Sequence, residues 1–259
     1  MSFNPGLDIG PVGNPLGFSY APGTFGPEPE VRRLDAIRAS LRDAECLGPD
    51  PVYAIAMDVG KAEHHAELKR RMLLFGLVTY AAGRLGREPV RSQGHVHGVS
   101  PHSGWRPPEV FEIWSGAAYV YMQEFAADDP GRCFAILAGP GDLVIVPPAW
   151  PHTTISAEPT KQLTFGALCD RECGFEYDEV RKRRGLAWYP VLNNNGDIRW
   201  EPNPAYRLGD LRCRRPRTYS KFGINQGVPL YQQVADDFDS FQWVSKPFLA
   251  EPLWSDFEP

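Results

Sequence analysis

Two histidines separated by one residue, in Gly94-His95-Val96-His97, are followed by Glu109 and later by Pro147-Pro148-Ala149-Trp150-Pro151-His152. Side chains on an extended strand alternate faces with period two, so His95 and His97 point to one side. For a carboxylate and a third imidazole to join them, later strands must return past the first. The pattern predicts a curled β scaffold with three imidazoles and one carboxylate inside. That donor set suits a divalent transition metal.

Composition agrees with a turn-rich β protein. Glycine (25) and proline (26) make up about a fifth of the 259 residues, which favours many short strands over long helices. A hydrophobic content of 42% supplies a sizeable core, and a net charge of -5 argues against a nucleic-acid or membrane-surface binder. The five cysteines, Cys46, Cys133, Cys169, Cys173 and Cys213, are odd in number and contain no CxxC pair; free thiols in a reducing compartment are expected. The N-terminal Met-Ser-Phe-Asn-Pro-Gly lacks a charged and apolar leader, and Met72 to Gly83 is too short to span a bilayer. A cytoplasmic location is the expectation.

Along the chain, residues 1–27 read as a Gly/Pro-rich arm, and 28–43 reads as a helix with Val31, Leu34, Ile37 and Leu41 at helical spacing. Strands are expected at 52–59, 73–82, 91–97, 109–114, 117–124, 133–138, 143–147, 153–157 and 162–169, with turns at 127–131 and 139–142. This implies a sandwich or barrel. Arg181-Lys182-Arg183-Arg184 is a basic cluster, and the aromatic-rich residues beyond it lack a periodic pattern. The expected organisation is an arm and helix over 1–49, a barrel over 50–180, and an extension over 181–259 that wraps the barrel or a partner subunit.

Glu109 is followed after six residues by Gly116, and Gly141 is followed by Pro147, Ala149 and His152. These runs resemble the two motifs of the cupin superfamily, G-x5-HxH-x(3,4)-E-x6-G and G-x5-PxG-x2-H-x3-N. Eleven residues (98–108) separate HxH from Glu109, Gly86 is displaced from the family position, and Ala149 and Ser156 replace glycine and asparagine. Within the cupins, Ser92-Gln93-Gly94-His95-Val96-His97, Val146-Pro147-Pro148-Ala149-Trp150-Pro151-His152 and Leu77 to Glu88 are similar to the cupin-type phosphoglucose isomerases over about residues 50–180.

The resemblance implies an all-β double-stranded β-helix (a cupin or jelly-roll barrel) flanked by an N-terminal helix and a C-terminal extension. It implies an isomerase of glycolysis and gluconeogenesis that interconverts glucose 6-phosphate and fructose 6-phosphate through an enediolate. One divalent metal, Fe2+ first and otherwise Mn2+, Zn2+ or Ni2+, would be held by His95, His97, Glu109 and His152. Glu109 would also move the proton, and Tyr177 matches a family tyrosine in the catalytic site. Thr79 and Ser92 match hydroxyls that hold the phosphate, and the Gly94 backbone can approach it closely. Arg84, Arg87 and Arg91 are further sources of positive charge. A small-molecule sugar phosphate and a second copy of the chain, forming a homodimer, are the implied partners.

Three replacements separate this chain from that pattern: Phe111 and Cys169 stand where tyrosines are expected, and Phe175 where a histidine is. They keep open a cupin-type metal-dependent oxygenase and a non-enzymatic sugar-binding cupin. Glu112, on the opposite face of its strand from Glu109, is expected to face outward. Tyr119 and Tyr121 share one strand face. His102 and Trp105 sit in the 98–108 segment, which reads as a long surface loop, and His64 and His65 read as exposed.

Overall fold

Strand propensity and period-two alternation build two facing sheets in the computed structural model, which describes residues 3–259. The barrel strands are β1 Glu30–Arg32, β2 Tyr53–Met57, β3 Leu73–Tyr80, β4 Glu109–Ser115, β5 Ala118–Gln123, β6 Cys133–Ala138, β7 Leu143–Val146, β8 His152–Ser156, β9 Leu163–Asp170 and β10 Leu211–Arg214. One sheet has the order β7-β4-β9-β3-β2-β1 and the other β8-β5-β6-β10. All pairings are antiparallel except β6 with β10. The sheets therefore take one strand from before residue 50 and one from beyond residue 180. This is the all-β cupin barrel the sequence implies.

Alternation decides what fills each layer. Between the sheets lie Tyr80, Phe111, Ile113, Val120, Met122, Phe134 and Phe165. The outward residues of the six-stranded sheet, among them Phe75, Val110, Trp114 and Leu168, do not meet water. They pack under Tyr219, Leu230, Tyr231, Phe241 and Trp243 of the C-terminal segment. Outward residues of the other sheet, Tyr121, Ala135 and Ile155, pack against Val180, Leu186 and Tyr206. Both outer faces are thus covered by chain that follows the barrel. Among the described residues no helix is long and apolar enough to cross a membrane.

Two elements differ from the sequence reading. The helix expected over 28–43 shrinks to Leu34–Ile37 (α1) and a 3-10 turn at Arg38–Ser40. Residues 30–32 are claimed instead by edge pairing with β2, and Arg33 is extended. Leu34, Ile37 and Leu41 are still buried as their spacing suggests, whereas Val31 is exposed. The strand expected over 91–97 is regular only at Val96–His97, which pairs with Phe175–Glu176. Gly94 has φ +82, a backbone turn that interrupts a ladder and that glycine adopts without a Cβ clash.

Candidate metal centre

The interrupted segment still delivers its imidazoles. Isolated bridges pair His95 with His152 and Arg91 with Ile155, so the 91–97 segment runs beside β8. Glu109 opens β4, whose inward set continues through Phe111 and Ile113. Donor atoms from His95, His97, Glu109 and His152 all lie within 4.8 Å of one another. His152 Nε2 is 3.0 Å and His97 Nε2 3.3 Å from Glu109 Oε2.

The remaining ring nitrogens fix how these donors present themselves. His97 Nδ1 donates to the Pro107 carbonyl (2.8 Å) and His152 Nδ1 to the Trp150 carbonyl (2.9 Å). A carbonyl oxygen only accepts, so Nδ1 carries the proton and a neutral ring turns its Nε2 lone pair to the cavity. His95 Nε2 and His97 Nε2 are buried without a hydrogen-bond partner. Such orphaned groups cost roughly 1–3 kcal/mol each. Lone pairs on nitrogen aimed at a carboxylate oxygen are satisfied by a shared cation, and the four donors fit a divalent ion.

The electrostatics agree. Burial raises the Glu109 carboxyl, but His152 and His97 beside it outweigh this and hold the group well below the ordinary carboxylate range. Burial, reinforced by His152 and His97, pushes His95 far below its ordinary value, so this ring is neutral. Burial lowers His97 too, but Glu109 beside it outweighs this and raises the ring to about 9; a metal requires neutral imidazole and ionised carboxylate, so its binding displaces a proton from His97.

The cluster opens into a cavity lined in part by Tyr53, Val78, Tyr80, Phe111, Phe165 and Tyr177. Ser92 lines it too, with its hydroxyl 2.9 Å from Thr153 Oγ1. Gly94 is buried against the His152 carbonyl. Phe175 stacks edge-on to His95, with centroids 4.7 Å apart. Several residues singled out in the sequence do not reach this cavity. Thr79 falls on the outer face of β3 because Val78 and Tyr80 take the inner one; its hydroxyl engages Thr164 (3.1 Å) and Gln162 (2.8 Å). Arg91 is buried and committed to Glu88 (2.8 Å) and the Ser40 carbonyl (2.7 Å), while Arg84 and Arg87 are exposed. Tyr121 turns outward to Gln123 and Trp200, and Tyr119 also meets Trp200. His102 is exposed. His64 and His65 are half-buried against Tyr231 and Phe25, not exposed.

Glu112 points away from Glu109 but not into solvent. It is fully buried beneath the C-terminal segment, a cover that strand alternation alone does not reveal. Sequence reasoning also missed Gln93, Tyr53 and Arg32 near the cavity. Gln93 sits beside the HxH pair, a proximity that could have flagged it. Arg32 lay hidden because its segment reads as helical.

A β barrel of two facing sheets with three imidazoles and one carboxylate converging inside defines a cupin with a candidate metal site. Residues 31–207 match the model of the glucose-6-phosphate isomerase (GPI) family, and the chain belongs to that family. Its class is therefore isomerase. It is 24% identical over 181 residues to a glucose-6-phosphate isomerase of Thermococcus kodakarensis, covering 68% of this chain and 87% of that one. Identity to the Thermococcus litoralis glucose-6-phosphate isomerase is 26% over 183 residues, with 69% and 87% covered. Among solved structures, an oxalate oxidase is similar at 12% identity and a TM-score of 0.36, over 48% of this chain and 54% of that one.

Proposed function

We propose that this protein is a metal-dependent sugar-phosphate isomerase that interconverts glucose 6-phosphate and fructose 6-phosphate. The observation that carries the reading is the pair of buried, unpartnered nitrogens, His95 Nε2 and His97 Nε2, facing Glu109 and His152 inside the family-matched region. His95, His97, Glu109 and His152 would hold one divalent ion, Fe2+ first, with Mn2+, Zn2+ or Ni2+ as substitutes. When bound, the ion would supply Lewis acidity at the substrate carbonyl.

The chain's own residues supply the rest. Glu109 is the carboxylate on the cavity wall and is assigned the proton transfer between C1 and C2, which requires a base within hydrogen-bond reach of the carbon acid. Tyr177 offers a hydroxyl on the same wall, positioned to hold a sugar oxygen. Ser92 and the Gly94 backbone border the path to the imidazoles. Phe111, Phe165 and Val78 exclude water from the reacting carbons. The family resemblance extends the proposal to a cytoplasmic homodimer working in glycolysis and gluconeogenesis.

The apolar lining favours one second reading, a cupin-type oxygenase, because Phe111 and Phe175 stand where hydroxyl and imidazole groups would serve a sugar. Purified protein loaded with Fe(II), Mn(II) or Zn(II) and given fructose 6-phosphate in D2O separates the two. Glucose 6-phosphate carrying deuterium at C2 is the expected product. No turnover with any of the metals, with oxygen consumed on a phenolic or keto acid, would overturn the isomerase reading.

A further inference from the structure

A phosphate dianion needs a cation or several donors wherever it is taken out of water. The barrel interior supplies hydroxyls, including Ser92, Tyr53 and Thr154, but no free side-chain cation among the described residues. Val78, Ile55, Phe111 and Phe165 line the wall, Thr79 faces away, and Arg91 is already neutralised by Glu88. The charge must come from the rim.

Two guanidinium groups stand beside Tyr177. Arg32 is directly opposite Tyr53 in the β1–β2 register, so the two side chains share a sheet face, and Tyr53 lines the cavity. Arg181 belongs to the short helix Asp178–Lys182 (α2). Its guanidinium lies 4.9 Å from the centre of the Tyr177 ring, and its Nε donates to Gln93 Oε1 at 3.0 Å. Gln93 is buried, lines the cavity and precedes Gly94-His95. The Tyr177 ring is in turn 6.0 Å from that of His95. Arg181 is thus joined to the His95 end of the cavity through Gln93 and the Tyr177 ring.

Charge is available at both arginines. Glu30, the partner of Arg32 at 2.7 Å, is 62% exposed, and an incoming dianion can replace it. Glu179, on the same helix as Arg181, pairs with Arg183 instead. Among the described residues Arg181 makes no ion pair. Burial pushes the Tyr177 hydroxyl up, Arg32 pulls it down, Glu30 opposes Arg32, and Arg181 adds a smaller downward pull.

We propose that Arg32 and Arg181, beside Tyr177 at the cavity mouth, bind the terminal phosphate of the substrate. This rests on the sugar-phosphate reading above. It replaces Thr79, which faces away, and adds to Ser92 and the Gly94 backbone a guanidinium pair built by β1 and α2. Arginine suits the task because its planar fork donates two parallel hydrogen bonds to phosphate oxygens.

The test uses the full-length, metal-loaded protein and inorganic phosphate as the probe, followed by calorimetry and by competition against fructose 6-phosphate. The unmodified chain should bind phosphate, and Arg32→Gln/Arg181→Gln should bind it at least about tenfold more weakly, with KM for fructose 6-phosphate raised by a similar factor and kcat changed far less. Arg32→Lys/Arg181→Lys keeps the charge and should recover much of the binding, which separates anion recognition from a folding defect. Equal phosphate affinity in the glutamine variant, or no phosphate binding by the unmodified chain, overturns the proposal. Phosphate binding that depends on these arginines in a protein that does not isomerise fructose 6-phosphate would retain the anion site and remove the isomerase reading.

Discussion

The Glu112 carboxylate accepts the Leu230 backbone N–H at 2.6 Å, joining positions 118 residues apart. Leu230 begins the helix Leu230–Asp236 (α3), and Glu112 also accepts from Trp114 Nε1 at 3.0 Å. A barrel strand and the C-terminal cover are thereby locked through one buried acid. Burial pushes that acid up to about 7 despite the two donors.

A pH dependence follows from that shift. The unfolded chain ionises Glu112 near pH 4.5, whereas the folded chain keeps it protonated until about pH 7. Between these values the folded state binds more protons, so stability falls as pH rises, by about 3 kcal/mol from this group. Below pH 4.5 its contribution is fully present, and above pH 7 it is lost. Glu112→Gln should flatten this part of the profile. Urea unfolding at pH 5 and pH 8 measures the difference, and identical pH slopes in the two proteins would refute the assignment.

Metal binding should be visible in stability before any turnover is measured. An ion at 100 times its Kd adds roughly 2.7 kcal/mol, which for a chain of this size raises Tm by roughly 5–10 °C. His152→Ala removes a donor whose Nε2 is 3.0 Å from Glu109 Oε2, and it should abolish the rise. Thermal scans with and without Fe(II) or Mn(II) decide the point; a His152→Ala protein that still gains the full increment would show that the ion binds elsewhere.

The cluster was legible in the sequence because each ligand lies on a strand or beside one, where period two fixes the side a residue faces. Thr79 was misread for the same reason: Val78 and Tyr80 take the inner face, and matching a motif to within one residue reverses the orientation. Glu112 was read as outward because alternation says which side a residue takes and not what covers that side. Arg32 and the edge strand it occupies were hidden by helical spacing that is real only from Leu34 onward. Long-range closure by the C-terminal segment has no periodic signature, so Leu230 over Glu112 could be found only in the folded molecule.

Ala149 occupies the position where the cupin motif carries glycine, and its φ is +67. It is the third residue of a turn closed by the Trp150 N–H to the Pro147 carbonyl at 3.3 Å, a place where positive φ favours glycine. A Cβ in that conformation costs about 1–2 kcal/mol, partly offset by the extra freedom glycine has when unfolded. Ala149→Gly should therefore stabilise the protein by roughly 0.5–1 kcal/mol. Denaturant midpoints measure it, and a loss of stability would contradict the strain.

The 98–108 segment is a long loop, yet it does more than cover surface. Ser100 Oγ donates to Asp170 at the end of β9, with 3.1 Å to each carboxylate oxygen. The same loop brings the Pro107 carbonyl to His97 Nδ1, so the Ser100–Asp170 contact helps fix the imidazole that faces Glu109. Partners one step removed from a metal commonly change affinity by 10–100-fold. Ser100 bonds no ligand directly, so Ser100→Ala, which leaves all four ligands intact, should weaken metal binding by less than about tenfold, and Ser100→Thr, which retains the hydroxyl, should lose less still. Competition with a chromophoric chelator gives the affinity directly. If Ser100→Ala binds metal as tightly as the unmodified chain, Pro107 is held by the remaining loop contacts, and His97 owes its orientation to the strand alone.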